Sequence, residues 1–156
     1  MSSRRRVAAA VILQNRQVLI TQRHPDDEMG GKWEFPGGTI EAGESPETCL
    51  QRELREELGL DVAIHEQMAV VHHRYPEWEI ELLAWRCSIR SGTVRLYVHQ
   101  DCRWVAPEEL ELFDFLEADK PIIAILEKIP GMEFWACHEK DPVEKNLPEY
   151  PCPGTL

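Results

Sequence analysis

The chain has 156 residues, 43% of them hydrophobic, and its 28 acidic side chains against 17 lysines and arginines give a formal net charge of −11. A chain of this length forms one domain that buries about two thirds of the surface exposed when unfolded. The negative field opposes binding to long nucleic acid through its phosphates, and no apolar run is long enough to span a membrane. The first predicted element is the apolar run Val7–Leu13, a buried strand; the basic start before it does not have the form of a signal peptide. Asn15-Arg16 makes a tight turn, and Val18–Gln22 returns as a second strand. His24–Lys32 is a polar loop, Trp33–Phe35 a short strand, and Pro36-Gly37-Gly38 a loop whose backbone can approach a ligand closely. A helix is predicted from about Pro46 to Leu58, with Ser45 as N-cap, Pro46 in the first turn and Gly59 at the left-handed position that ends it. Leu50, Leu54 and Leu58, with Cys49 beside them, form its buried stripe.

Val62–His72 reads as a long strand, His73–Glu77 as a turn and Trp78–Ile89 as the next strand. Ser91-Gly92 is expected as a hairpin turn, Thr93–Val98 as a further strand and Arg103–Val105 as a short extended piece. Pro107 opens a small helix, and Pro121–Ile129 is a second main helix with Asp119 or Lys120 at its cap. The expected class is α+β: an α/β/α sandwich with a mixed β-sheet, in one domain over residues 1–130. Residues 131–156 form a C-terminal extension with Phe134, Trp135 and Tyr150, packed on the domain or loosely ordered. The five cysteines are odd in number and contain no CxxC, so they read as reduced thiols of a cytoplasmic protein.

The most informative segment is the middle helix. Glu53, Glu56 and Glu57 stand at i, i+3 and i+4, which puts three carboxylates on one helical face. Like charges so placed repel one another, and Arg52, four residues before Glu56, offsets only part of that. Three converging carboxylates either face solvent or suit a divalent cation that prefers oxygen.

The wider pattern settles which family this helix is similar to. Gly38, five residues, Glu44, seven residues and then Arg52-Glu53-Leu54-Arg55-Glu56-Glu57-Leu58-Gly59-Leu60 resembles the Nudix box with no departure. The preceding Lys32–Gly38 resembles the same segment in the MutT-like branch of that family, and the resemblance extends over about residues 5–130. It implies the Nudix loop–helix–loop fold and hydrolysis of a nucleoside diphosphate linked to another group. In MutT-like members this is cleavage of a nucleoside triphosphate to monophosphate and pyrophosphate. By the same resemblance Glu53, Glu56, Glu57 and the Gly37 carbonyl match metal ligands, with Mg2+ expected and Mn2+ as substitute. Arg52 matches an orienting residue, and Glu44 one that supports the metal cluster or shifts a proton.

The general base stays open. MutT-like members carry an acid on a later loop, where this chain has Val98-His99, so His99, Asp101 or Glu53 itself is left to act. Four residues are candidates for the nucleotide. Arg23 matches an arginine that reaches phosphates, or is an ordinary strand-end residue. Phe35 stacks on a base or serves the core. Trp78 stands where MutT uses an arginine at the base, and stacks or packs. Asp119 stands where MutT has an asparagine reading oxidised guanine and where relatives acting on CTP carry aspartate, or it is a helix cap. The reading is a nucleoside triphosphate diphosphatase for substrates such as 8-oxo-dGTP, CTP or 5-modified dCTP, monomeric or homodimeric. A hydrolase of ADP-ribose or dinucleoside polyphosphate, and a non-catalytic nucleotide sensor, are the alternatives.

Overall fold

In the computed structural model the first strand, β1, runs Ser3–Gln14, and both layers of the core are built on it. The structure describes residues 3–128 and 150–153. Side chains of a strand alternate between faces. Ala8, Ala10 and Ile12 therefore enter one buried cluster, and Ala9, Val11 and Leu13 another. Asn15 and Arg16 both have positive φ, 51° and 62°, as a two-residue hairpin turn with the right twist requires. The chain returns as β2 (Gln17–Arg23), with Leu13 opposite Val18. β3 (Trp33–Glu34) then pairs with β2, and β4 (Gly37–Thr39) pairs with β1.

Helix α1 (Pro46–Leu58) follows, bounded as its sequence demands. The Ser45 hydroxyl accepts from the Thr48 N–H at 3.1 Å, and Gly59 ends the helix at φ 70° with its N–H returned to the Arg55 carbonyl. Leu50, Leu54 and Leu58 are fully buried against the Ala8, Ala10 and Ile12 face, each contributing about 2 kcal/mol of apolar burial. β5 (Leu60–Arg74) and β6 (Trp78–Gly92) form a long antiparallel pair, and β6 lies parallel to β1 from Ser3 opposite Trp78 to Ile12 opposite Cys87. β7 (His99–Val105) pairs with β2. The mixed sheet has the order β3-β2-β1-β6-β5, with β4 on β1 and β7 on β2. Helix α2 (Lys120–Lys128) places Ile122, Ile123 and Leu126 in the cluster with Ala9, Val11 and Leu13, so the helices cover opposite faces. The α/β/α arrangement is thus present.

Five expectations are corrected. Gly37-Gly38 is strand, because its backbone pairs with Val7–Ala9 on a β1 edge that would otherwise be bare. Ser91-Gly92 continues β6 and makes no hairpin turn, and Thr93–Val98 is not a strand. The physical reason is visible in the hydrogen bonds: Arg95 and Tyr97 donate their N–H groups to the Leu58 and Glu57 carbonyls at 2.9 and 3.2 Å. The segment caps the C-terminus of α1, whose last carbonyls have no partner inside the helix. Asp119 ends a 3-10 turn, Glu117–Asp119, and its carboxylate crosses to the Phe35 N–H. Finally, Cys102 and Cys152 are joined as a disulfide, against the expectation of five reduced thiols. The Trp104 indole N–H donates to the Tyr150 carbonyl at 2.6 Å and seats the end of the chain beside β7. Cys49 and Cys87 are free and buried. Phe134, Trp135 and most of the expected extension lie outside the described residues.

Candidate active site

Arg52 is the hub of the polar side of α1. Its Nε and Nη2 hold the two oxygens of Glu44 at 2.7 and 2.9 Å, and its Nη1 donates to Glu53 Oε1 at 2.7 Å. Nη2 also reaches the Thr39 carbonyl at 3.3 Å, which ties the helix to β4. Such two-pronged, charge-assisted contacts fix rotamers. The Arg52 hydrogen bonds hold the Glu44 carboxyl down at about 2, assisted by the Glu41 N–H at 3.1 Å. Beneath this network Cys49 is buried, and desolvation with the Glu44 and Glu53 charges pushes its thiol up to about 12.

Glu53 lies against β4 so closely that a methyl on Gly38 would run into its carboxyl group, and a methyl on Gly37 would run into the Ala8 carbonyl. Glycine is required at both positions for this approach. Glu57 stands beside Glu53, and its carboxyl is pushed up to about 8, first by burial and then by the Glu53 charge and a hydrogen bond with Glu53. Burial beside a like charge keeps Glu57 protonated near neutral pH, and a bound divalent cation would offset both. Glu56 differs: its side chain is 61% exposed, and its recorded bond is to Arg52 Nη1 at 3.4 Å. Among the described residues no group of three His, Cys, Asp or Glu side chains is already closed as a metal cage. The donor set is all oxygen, which suits a hard divalent cation.

Glu53, Glu57, Gly37 and Gly38 line one part of a cavity of about 490 Å3, a size typical of small-molecule sites. Arg23, Phe35, Trp78 and Asp119 line the same cavity, so the two groups of sequence candidates are brought together. Arg23 donates from Nη1 to Glu34 at 3.3 Å and from Nε to the Glu28 carbonyl at 2.8 Å. Phe35 is buried, its ring 5.3 Å from that of Phe115. Asp119 is buried, its Oδ2 accepts from the Phe35 N–H at 2.9 Å, and burial with the Glu34 charge raises its carboxyl well above the usual range. Trp78 stacks on Tyr75, with ring centroids 4.5 Å apart.

Some candidates stay outside. Glu44, Arg52 and Glu56 do not line the cavity; the first two are connected to it by the bond from Arg52 to Glu53. Asp101 is turned to the Cys102 N–H and to Arg103. His99 does line the cavity: it is buried, its Nε2 lies 3.5 Å from Glu34 Oε1, and its Nδ1 has no hydrogen-bond partner among the described residues. Among the lining residues that were not singled out in the sequence are Arg5, Glu34 and Tyr75. Arg5 could have been found by extending the period-two face of Ala9 and Val7 backwards. Tyr75 had only its place next to Pro76 in a turn.

Known proteins resemble the chain over most of its length. A family model described as a NUDIX domain matches residues 7–124. The chain is 36% identical over 117 residues to the CTP pyrophosphohydrolase of Escherichia coli (strain K12), covering 75% of this chain and 87% of that protein. It is 34% identical over 116 residues to the 8-oxo-dGTP diphosphatase of the same strain, covering 74% and 90%. Among solved structures, that of the E. coli ORF135 protein superposes with a TM-score of 0.71 at 32% identity, covering 90% of this chain and 96% of that one.

Proposed function

The chain belongs to the Nudix family and is a hydrolase of phosphoanhydride bonds, and from that premise we propose that it is a metal-dependent nucleoside triphosphate diphosphatase. Water and an NTP or dNTP give the monophosphate and pyrophosphate. Oxidised or modified nucleotides such as 8-oxo-dGTP, together with CTP or 5-modified dCTP, are the substrates in view. One observation carries the reading: Glu53 lies against Gly38 of β4 with Glu57 beside it in a cavity of nucleotide size, and Glu57 is pushed up to about 8. The described lining of that cavity holds seven carboxylates against two arginines, Arg5 and Arg23. A triphosphate enters such a field only with its charge neutralised.

Glu53, Glu56, Glu57 and the Gly37 carbonyl would hold Mg2+, with Mn2+ as substitute. When bound, the ion supplies charge neutralisation along the phosphates and a more acidic water. Arg52 keeps Glu53 in one rotamer through the 2.7 Å bond and is itself pinned by Glu44. Glu56, exposed and at the long end of its Arg52 contact, is free to turn. Glu53 is assigned the removal of a proton from the attacking water, since it lines the cavity beside Glu57 while Asp101 does not line it and His99 lies against Glu34. Arg23 is assigned to the phosphates, and Phe35, Trp78 and Asp119 to the base. Residues 1–130 form the catalytic domain and 131–156 an extension of it.

Pyrophosphate release measured over NTPs, dNTPs, 8-oxo-dGTP and ADP-ribose, with Mg2+ and with chelator, tests the reading. Expected is Mg2+-dependent pyrophosphate from one or more triphosphates. Turnover of ADP-ribose alone, or tight binding of a nucleotide with no turnover, would overturn it.

A further inference from the structure

Trp78 does not stand alone in the cavity wall. Strand order places β6 between β1 and β5, and the Trp78 ring at the start of β6 meets one side chain from β1 and one from the turn that follows β5. From the turn after β5, Tyr75 stacks on it at 4.5 Å with the planes 26° apart. From β1, the Arg5 guanidinium carbon lies 4.4 Å from the ring centroid. Tyr75 is braced in turn by the edge of His73, at 4.5 Å and 67°, and its hydroxyl accepts from the Ala118 N–H at 3.3 Å. The result is a stack of Arg5, Trp78 and Tyr75, and Arg5 is its open end.

Arg5 lines the cavity, is exposed, and has no carboxylate within ion-pair distance among the described residues, while its neighbours Arg4 and Arg6 both pair with Glu81. The other cavity arginine, Arg23, is already bonded to Glu34. Arg5 leans toward β6, whereas β4, with Gly37, Gly38 and the adjoining Glu53, lies on the opposite flank of β1. Its guanidinium is therefore on the aromatic side of the cavity. A guanidinium seated over an indole keeps N–H groups for an acceptor and has no acceptor of its own.

We propose that Arg5, held against Trp78, is a specificity-determining residue that donates to the carbonyl oxygen of a bound nucleobase. The inference rests on the functional reading above. It makes the site favour bases with a ring carbonyl, such as guanine, cytosine, uracil and their oxidised forms, over adenine, which carries none. Trp78 then serves as the platform for Arg5, with Tyr75 behind it.

The test is kcat/KM for CTP, GTP and ATP in the unmodified chain, Arg5→Met and Arg5→Lys. Methionine keeps the apolar contact with Trp78 and removes the charge and the donors; lysine keeps one charged donor without the flat face. In the unmodified chain CTP or GTP is expected to exceed ATP. Arg5→Met is expected to lower that ratio about tenfold, the loss of about 1.4 kcal/mol, through KM for the carbonyl bases with ATP little changed. Arg5→Lys falls between. Thermal melting of each variant confirms that an exposed side chain has been changed in a folded protein. An equal loss for all three nucleotides assigns Arg5 to the phosphates and overturns the proposal. An unchanged ratio, or a site that prefers ATP from the start, also overturns it. No turnover of any nucleotide by the unmodified chain instead defeats the functional reading beneath it.

Discussion

Glu53 is constrained from three directions: the Arg52 guanidinium, the bare backbone of Gly38 and the Glu57 carboxyl. With the role proposed for it, Glu53→Gln keeps the shape and removes the charge, and kcat is expected to fall by about 10²–10⁴ in the pyrophosphate assay. Glu57 gives a second measurement that needs no substrate. Its folded pKa of about 8 lies above the ordinary 4.5, so the native state holds a proton that the unfolded chain has lost. That contribution to stability is complete below about 4.5 and disappears as pH rises to about 8. In chelator, the melting temperature should therefore drop as the pH is raised across that window. Saturating Mg2+ or Glu57→Gln should flatten the drop. A melting temperature independent of pH in chelator would exclude the repulsion described here. At this scale the helical glutamates were legible because i, i+3, i+4 spacing fixes their face. The separation of Glu56 from Glu53 and Glu57 was not, because it depends on which carboxylates Arg52 selects. Arg5 and Tyr75 were not legible either, since their meaning comes from Trp78 on another strand.

At the scale of elements, α1 is the best-specified piece of the chain. Serine cap, N-terminal proline, leucine stripe and terminal glycine all agree, and its bounds match those read from the sequence. Ser45→Ala removes the Thr48 bond and is expected to cost about 1 kcal/mol in chemical denaturation. It should leave KM nearly unchanged, because Ser45 does not line the cavity. A large rise in KM would mean that the cap also orders the loop carrying Glu44. The segment Thr93–Val98 was misread for an instructive reason. Its residues suit a strand, but its N–H groups satisfy the exposed carbonyl end of α1, and local propensity cannot reveal that competing partner. The strand character of Gly37–Thr39 was hidden in the same way, since only the open edge of β1 makes two glycines pair.

For the whole molecule, a middle helix, mixed strands and a late helix were enough to foresee two helical layers on one sheet. The closing of the chain onto β7 was not, because an odd cysteine count cannot name a pair. The Cys102–Cys152 link spans 50 residues, and a cross-link of that separation stabilises a fold by about 4 kcal/mol in the chain-entropy treatment. Cys102→Ser should therefore lower the non-reducing melting temperature, and a reducing agent should bring the unmodified chain down to the same value. Equal melting with and without reductant would show that the link does not form in solution. In native conditions Cys49 and Cys87 should resist alkylation, as both are buried and both are pushed up to about 12 by desolvation. One further consequence concerns descent. The residues proposed to cleave, Arg52 to Glu57, lie within one helical turn and a half, while Arg5, Phe35, Trp78 and Asp119 come from four separate segments. Replacements among the dispersed set can be sampled one at a time with the helix untouched. A lineage built on this plan can change its diet of nucleotides by single steps, without passing through a form that has lost the ability to cut.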